Sequence, residues 1–158
     1  MKIFYYCYGG AHSSVIAAAL HLNKLSYPLT YGEIINFTYF DLNSPEIKGI
    51  PTLLGTDENK NEIYFVGYGK NKEMIVKLIK SFLQVNGIND DQYLFVDALD
   101  KINWRVHLGG FVSKALKQKN IGRRFTALGI LLSAKEIQNK VETAKEISKG
   151  YRESLTKV

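Results

Sequence analysis

The sequence has little cysteine, proline or tryptophan: 158 residues contain one Cys, three Pro and one Trp. A single cysteine cannot form a disulfide within the chain, which excludes a disulfide-stapled secreted domain. No apolar run approaches the roughly 18 to 20 residues that a membrane-spanning helix requires. The amino terminus also lacks the basic region, apolar core and cleavage site of a signal peptide. We therefore expect a cytoplasmic protein with no membrane partner.

Acidic residues are missing from one long stretch of this basic chain. The formal net charge is +6, and residues 101–135 contain eight Lys or Arg side chains and no Asp or Glu. Such a segment favours an anionic partner, or it forms a solvated basic face. Neither a nucleic-acid-binding motif nor a metal-ligand spacing of His, Cys, Asp and Glu is present. The sequence thus argues against nucleic acid and predicts no metal site.

The apolar content indicates one folded unit. Apolar residues make up 46% of the chain and charged residues 23%, as expected of a single α/β domain over residues 1–158 with one sizeable core. Strand-like runs are "KIFYYCY", "GIPTLLG", "EIYFVGYG", "QYLFVDAL" and "RRFTALGIL". The second and third flank the polar turn "TDENKN", which predicts two strands joined by a short turn.

Helical signals separate most of these runs. "SSVIAAALHLNKL" consists largely of strong helix formers, and residues 103–118 and 133–155 also favour helices. Capping boxes are predicted at Thr30 with Glu33 and at Ser133 with Glu136. A further helix ending at Gly87 places one apolar face along its length, formed by Met74, Ile75, Leu78, Ile79, Phe82 and Leu83.

The order of these elements predicts the fold class. Strands that alternate with helices are typical of an α/β protein with a mostly parallel sheet flanked by helices, in a Rossmann-like or P-loop-like layering. In such sheets ligands bind beyond the carboxyl ends of the strands.

The stretch "CYGGAHSS", Cys7 to Ser14, lies at such an end, between the first strand and the first helix. The first turn of a helix has unpaired N–H groups and partial positive charge. Gly9 and Gly10 would let the backbone approach a ligand, and the Ser13 and Ser14 hydroxyls could donate to it. This combination predicts a phosphate-binding loop.

Cys7 and His12 are the candidate catalytic residues of this loop. A helix amino terminus favours the thiolate form of a cysteine, and His12 could pair with it or transfer a proton. The alternatives remain open: Cys7 as a small buried apolar residue, Ser13 as a helix cap only, and His12 as a solvent-facing side chain.

Three further ligand-binding candidates lie outside the loop. Lys70, in the glycine-rich turn "GYGKNK", could neutralise a phosphate. Asp97 ends a strand and could offer a carboxylate to Mg²⁺ or cap a turn. Arg105, beside Trp104, could pair with an anionic ring-bearing ligand. His21 is expected to be packed, while Asp41 and Asp57 are expected to bond local backbone.

The loop resembles two known phosphoryl-binding loops. Cys7, Gly10 and Ser14 match C-x-x-G-x-x-x-S of the lactose and cellobiose type enzyme IIB proteins of the sugar phosphotransferase system, whose cysteine carries a phosphoryl group. The loop is also similar to C-x5-R-S of the low-molecular-weight tyrosine phosphatases and arsenate reductases, with Ser13 in place of the arginine. Such an activity would need the guanidinium of Arg105, Arg123 or Arg124 instead.

Across its length the chain resembles an uncharacterised family of small Firmicutes proteins, domain-of-unknown-function family 3189. The resemblance rests on "CYGGAHSSVIAAALHL", "TYGEI", "GIPTLLGTD", "YFVGYGK", "RVHLGGFVSKAL" and "IGRRFTALG". It implies a shared fold and a shared site, and it supplies no activity, cofactor or oligomeric state.

Two functions therefore stand as expectations. The first is binding of a phosphate-containing small molecule at "CYGGAHSS", with or without thiol chemistry at Cys7. The alternative is a non-enzymatic interaction module that docks an acidic protein or nucleic acid through residues 101–135.

Overall fold

The computed structural model describes residues 1–42, 49–99 and 119–155, without the side chains of 119–121 and 154–155. The helix predicted over 103–118, and Arg105 within it, lie outside the described residues. The described elements are β1 (Lys2–Cys7), α1 (Ser13–His21), α2 (Tyr31–Asn36), β2 (Thr52–Thr56), β3 (Glu62–Gly67), α3 (Lys72–Val85), β4 (Tyr93–Asp97), α4 (Lys119–Leu132) and α5 (Ala134–Leu155).

The sheet is mixed, and its helices make the fold α/β. Its strand order is β2-β3-β1-β4, with β1 parallel to both β3 and β4 and with β2 antiparallel to β3. The prediction of a mostly parallel sheet is therefore wrong. Because only residues 57–61 join β2 to β3, the chain has room for a hairpin but not for the crossover of about a dozen residues that parallel strands require.

One face of the sheet carries the larger core. Alternate residues of a strand point to opposite faces, and Ile3 and Tyr5 point from β1 toward α1. The residues Ala17, Ala18 and Ala19 of α1 are fully buried. Their small side chains let this helix lie close to the sheet. Helix α5 packs against the other side of α1, which encloses the helix on all sides.

The opposite face of the sheet carries a smaller, aromatic core under α3. Phe4 stacks on Tyr64 and on Phe95, with ring centroids 4.8 and 4.9 Å apart. From α3, Ile79 and Leu83 are buried against this layer.

The apolar face predicted for α3 is divided between the core and solvent. Ile79 and Leu83 are buried, whereas Met74, Leu78 and Phe82 are 57%, 62% and 67% exposed. These side chains spread around about half of the helix circumference, and only the part that faces the sheet becomes buried. A line of apolar side chains therefore remains on its outer surface.

The predicted ends of two helices are confirmed. The Thr30 side chain accepts the Glu33 N–H and the Glu33 carboxylate accepts the Thr30 N–H, which forms the capping box at α2. After α3, Gly87 adopts φ +76°, and its N–H donates to the Gln84 carbonyl. A left-handed residue at this position is the usual way to end a helix.

Two predictions in the carboxyl-terminal third are wrong. Residues 123–131 were expected to form a strand and lie within α4. A short apolar run does not by itself distinguish a strand from a buried helix, and the helical spacing of buried Ala127, Ile130, Ala134 and Ile137 decides the matter. Ser133 does not cap α5, because its N–H continues the helical bonding to Gly129 and its buried hydroxyl has no partner among the described residues.

A buried polar chain joins β1, α1 and the β2–β3 hairpin. The Tyr5 hydroxyl lies 2.7 Å from His21 Nδ1, and His21 Nε2 lies 3.2 Å from Asp57 Oδ2. Burial lowers the pKa of His21, although Asp57 acts in the opposite direction. Burial alone would raise the pKa of Asp57, but hydrogen bonds from Asn61 and His21 hold it below its usual value. The arrangement fits a neutral His21 that accepts from Tyr5 and donates to Asp57.

This chain predicts a pH-dependent stability. Because the pKa of His21 is lowered in the folded state, acid protonates the unfolded chain first. We expect the free energy of unfolding to fall as the pH drops below about 6.5, by at most about 1.4 kcal/mol per pH unit from this residue. Urea unfolding at pH 7.5 and 5.5 measures it, with His21→Gln as the non-titrating control. An equal pH dependence in both proteins would contradict the assignment.

Candidate functional site

The loops that follow β1, β3 and β4 meet at one edge of the sheet. The Tyr68 N–H donates to the Cys7 carbonyl at 3.0 Å, and the Gly69 N–H donates to the Tyr8 carbonyl at 2.9 Å. On the other side of β1, the Ala98 N–H donates to the Tyr6 carbonyl at 3.0 Å. The three carboxyl ends therefore form one continuous edge, where parallel strands present ligand sites.

Gly10 and Gly67 touch backbone to backbone at this edge. A Cβ on Gly10 would lie 2.5 Å from the Gly67 nitrogen, and Gly10 has φ +68°. A Cβ on Gly67 would lie 2.8 Å from the Gly9 carbonyl carbon. Both positions therefore require glycine. Gly9 differs, because the nearest atom to a Cβ there is His12 Nδ1 at 3.8 Å.

The Cys7 sulfur lies inside the loop, beneath its surface. The Gly10 N–H donates to Sγ at 3.2 Å, and the Ser14 hydroxyl lies 3.1 Å from it. Cys7 is 7% exposed, and Ser13 and Ser14 are buried in the first turn of α1. Both neighbours of the sulfur are able to donate to it. The Ser14 hydroxyl is thus engaged with Cys7 in this structure.

The amino end of α1 has backbone N–H groups that find no acceptor in the described part of the chain. The first helical bond runs from the Ile16 N–H to the His12 carbonyl, and His12 makes no side-chain cap. Within the described ranges, no hydrogen bond uses the N–H of Ser13, Ser14 or Val15. The first turn also has no acidic residue. Its partial positive charge is therefore not balanced by the helix itself.

His12 is oriented by a carboxylate from a distant part of the chain. His12 Nε2 lies 3.0 Å from Asp41 Oδ1, and each side chain is about a quarter exposed. The Asp41 N–H donates to the Ala11 carbonyl at 2.8 Å, which holds the two segments together. This pairing leaves Nδ1 on the side of Gly9. Asp41 was expected to make local backbone bonds, and no local signal marks a partner so far away in sequence.

Asp97 is engaged in an ion pair. Its carboxylate accepts Lys72 Nζ at 2.6 Å and the Leu99 N–H at 3.2 Å. The hydrogen bond to Asp97 raises the pKa of Lys72, whose Nζ also lies 5.0 Å from the Tyr6 ring centroid. Lys70, which the sequence predicts to neutralise a phosphate, is exposed in the turn before α3. Only the strand order, which places β4 beside β1, reveals Lys72.

One arginine approaches this region. The Arg123 guanidinium donates to the Ile35 carbonyl at 2.8 Å and lies 6.0 Å from the Phe40 ring centroid. The same ring contacts the His12 ring edge-on, with centroids 5.6 Å apart. Arg124 is exposed, and Arg105 lies outside the described residues.

The described residues contain neither a metal-ligand cluster nor a membrane-spanning helix. No group of three or more His, Cys, Asp or Glu side chains in ranges 1–42, 49–99 and 119–155 could hold a metal ion. None of the helices there combines the length and apolar character needed to cross a lipid bilayer.

Comparison with known proteins gives a family and no activity. No curated protein and no solved structure matches the chain. One family model, described as a protein of unknown function (DUF3189), matches residues 2–146 and so covers most of the sequence. The chain belongs to this DUF3189 family.

Proposed function

We propose that the chain binds a phosphate-containing small molecule at the amino end of α1, on the loop from Cys7 to Ser14. The observation that carries the proposal is the first turn of α1, whose N–H groups at residues 13–15 have no acceptor in the described chain. Free N–H groups and the positive end of a helix dipole together favour an anion.

The surroundings of the loop support this proposal. The packing of Gly10 on Gly67 holds the loop in place before any ligand binds, so little ordering would accompany binding. Tyr8 is exposed, and Gly9 and His12 are partly exposed, so the outer side of the loop faces solvent. Lys70 follows Gly69, which is bonded to Tyr8, and supplies an exposed positive charge nearby.

A covalent step at Cys7 extends the proposal. Its sulfur accepts the Gly10 N–H and lies within hydrogen-bond distance of the Ser14 hydroxyl, and both groups are able to donate to a reacting sulfur. The thiolate would attack phosphorus, forming an S–P bond as the bond to the leaving oxygen breaks. His12, whose Nε2–H faces Asp41, would first take the thiol proton of Cys7 on Nδ1 and would then give that proton to the leaving oxygen. The similarity to the enzyme IIB loop supports this chemistry, whereas the phosphatase loops have an arginine where this chain has Ser13.

Two substitutions of Gly9, by Asn and by Asp, test anion binding, because their side chains have nearly the same shape and differ by one negative charge. A side chain fits there without a clash, so Gly9→Asn and Gly9→Asp should both fold. We expect phosphate, sugar phosphates or nucleotides to raise the unfolding temperature of the native chain and of Gly9→Asn. At a hundred times the dissociation constant the gain is about 2.7 kcal/mol. Gly9→Asp should lose this gain, because its carboxylate repels the anion.

The outcomes of this thermal-unfolding comparison are distinct. No stabilisation of the native chain by any of these anions would contradict the proposal. Equal stabilisation of Gly9→Asp and Gly9→Asn would place the anion elsewhere and favour the alternative function at the basic segment 101–135. Binding there should also weaken steeply as salt rises.

Alkylation tests the covalent step separately. We expect iodoacetamide to modify Cys7 in the folded chain at pH 7, and phosphate to slow the reaction by occupying the loop. Ser14→Ala should also slow the reaction, because it removes one donor to the sulfur. Thr143→Ala is the matched control, because the Thr143 side chain is exposed on α5 and its hydroxyl bonds, among the described residues, only to the Asn139 carbonyl. Mass spectrometry follows the rate, and modification only after unfolding in urea would contradict the covalent step.

A further inference from the structure

The outer side of α3 carries a line of exposed apolar side chains, here called the α3 stripe: Met74, Leu78, Phe82 and Val85. Their exposed fractions are 57%, 62%, 67% and 87%. The residues follow one another at one helical turn, so they form a continuous row on the side away from the sheet. Contiguous exposed apolar surface of this kind marks an interaction site more often than isolated exposed residues do.

The α3 stripe is complementary to itself. Leu78 and Phe82 are one turn apart at the centre of the row. Met74 precedes this pair by one turn, and Val85 follows it by about one turn. An antiparallel copy of the same helix would therefore place Leu78 against Phe82 and Met74 against Val85. Such self-matching is the property that a two-fold symmetric interface requires.

Charges beyond the two ends of α3 are also complementary. Lys70 is exposed just before the helix, and Asp90 and Asp91 are exposed in the turn after it. The Asp90 carboxylate accepts bonds from Tyr93 and Gln84, which hold its pKa below its usual value and keep it anionic. In an antiparallel pair, Lys70 of each chain would lie beside Asp90 and Asp91 of the other. The helix dipoles would also oppose one another favourably.

We infer that two copies of this chain associate through the α3 stripe, as an antiparallel pair of α3 helices centred between Leu78 and Phe82. An interface built on four side chains of one helix is small beside stable interfaces, which bury at least about 1,000 Å² in total, so we expect the dimer to form reversibly with concentration. The apolar contacts of this interface all come from α3, and Lys70 is the residue that it shares with the surroundings of the phosphate loop.

Sedimentation velocity across micromolar to millimolar concentrations tests the inference. We expect the native chain to shift from monomer to dimer, and Leu78→Glu or Phe82→Glu to raise the dissociation constant at least tenfold. Both side chains are mainly exposed, so the variants should keep the native unfolding temperature. Leu128→Glu on α4 is the matched control, since Leu128 is 45% exposed on another helix. It should dimerise like the native chain.

Cross-linking tests the antiparallel arrangement. Chains with Leu78→Cys are mixed with chains carrying Phe82→Cys, both with Cys7→Ser so that disulfides form only between the new cysteines, and the Cys7→Ser chain alone is the control. We expect the mixed disulfide to form at least tenfold faster than the disulfide between two Leu78→Cys chains. Faster pairing of like chains would overturn the arrangement. In the sedimentation experiment, a native chain that stays monomeric at millimolar concentration would overturn the dimer. The reactivity of the introduced cysteines would not change that conclusion.

Discussion

The close approach of Gly10 to Gly67 is the constraint on which the candidate site depends. Where β1 and β3 end, the backbones of the two following loops lie so close together that no Cβ fits between them. Hydrogen bonds from Tyr68 and Gly69 hold the same loops together. Because the loop is anchored to β3 in this way, its remaining residues take defined places around Cys7 and the first turn of α1. A larger residue at either glycine would separate the loop from the sheet.

Two polar clusters lie at opposite ends of β1 and β3. At the carboxyl ends, Cys7 and His12 belong to a loop that is partly exposed and lies beside backbone N–H groups with no acceptor in ranges 1–42, 49–99 and 119–155. Toward the amino end of β3, Tyr5, His21 and Asp57 form a chain in which His21 is fully enclosed. The enclosed chain satisfies buried polar groups and ties three elements together, whereas the open loop keeps donors available. This difference favours the loop as the functional end.

Local signals in the sequence were sufficient for much of the fold. The strand, loop and helix around Cys7, the capping box at Thr30 and the helix stop at Gly87 each depend on a few neighbouring residues. The short turn between β2 and β3 already indicates that these two strands are antiparallel. The alternation of strands and helices along the rest of the chain led to the opposite prediction, a mostly parallel sheet. Residues 123–131 were misread because their apolar composition suits a strand as well as a buried helix.

The candidate site was only partly accessible from the sequence. Its loop is contiguous and so could be recognised, but the partners of its residues come from elsewhere. Asp41 reaches His12 only through the tertiary fold, and Lys72 reaches Asp97 because β4 lies beside β1. The sequence predicts that Gly10 leaves room for a ligand, whereas in the structure the space that a Cβ of Gly10 would occupy is filled by the Gly67 backbone. Each of these facts requires the strand order, which no local pattern supplies.

The most direct measurement is a phosphate titration of the ¹⁵N-labelled native chain followed by amide chemical shifts. The account predicts saturable changes at the amides of residues 9–15, with the largest in the first turn of α1, where the N–H groups have no acceptor in the described chain. Changes confined to residues 101–135, or none at any residue, would contradict it.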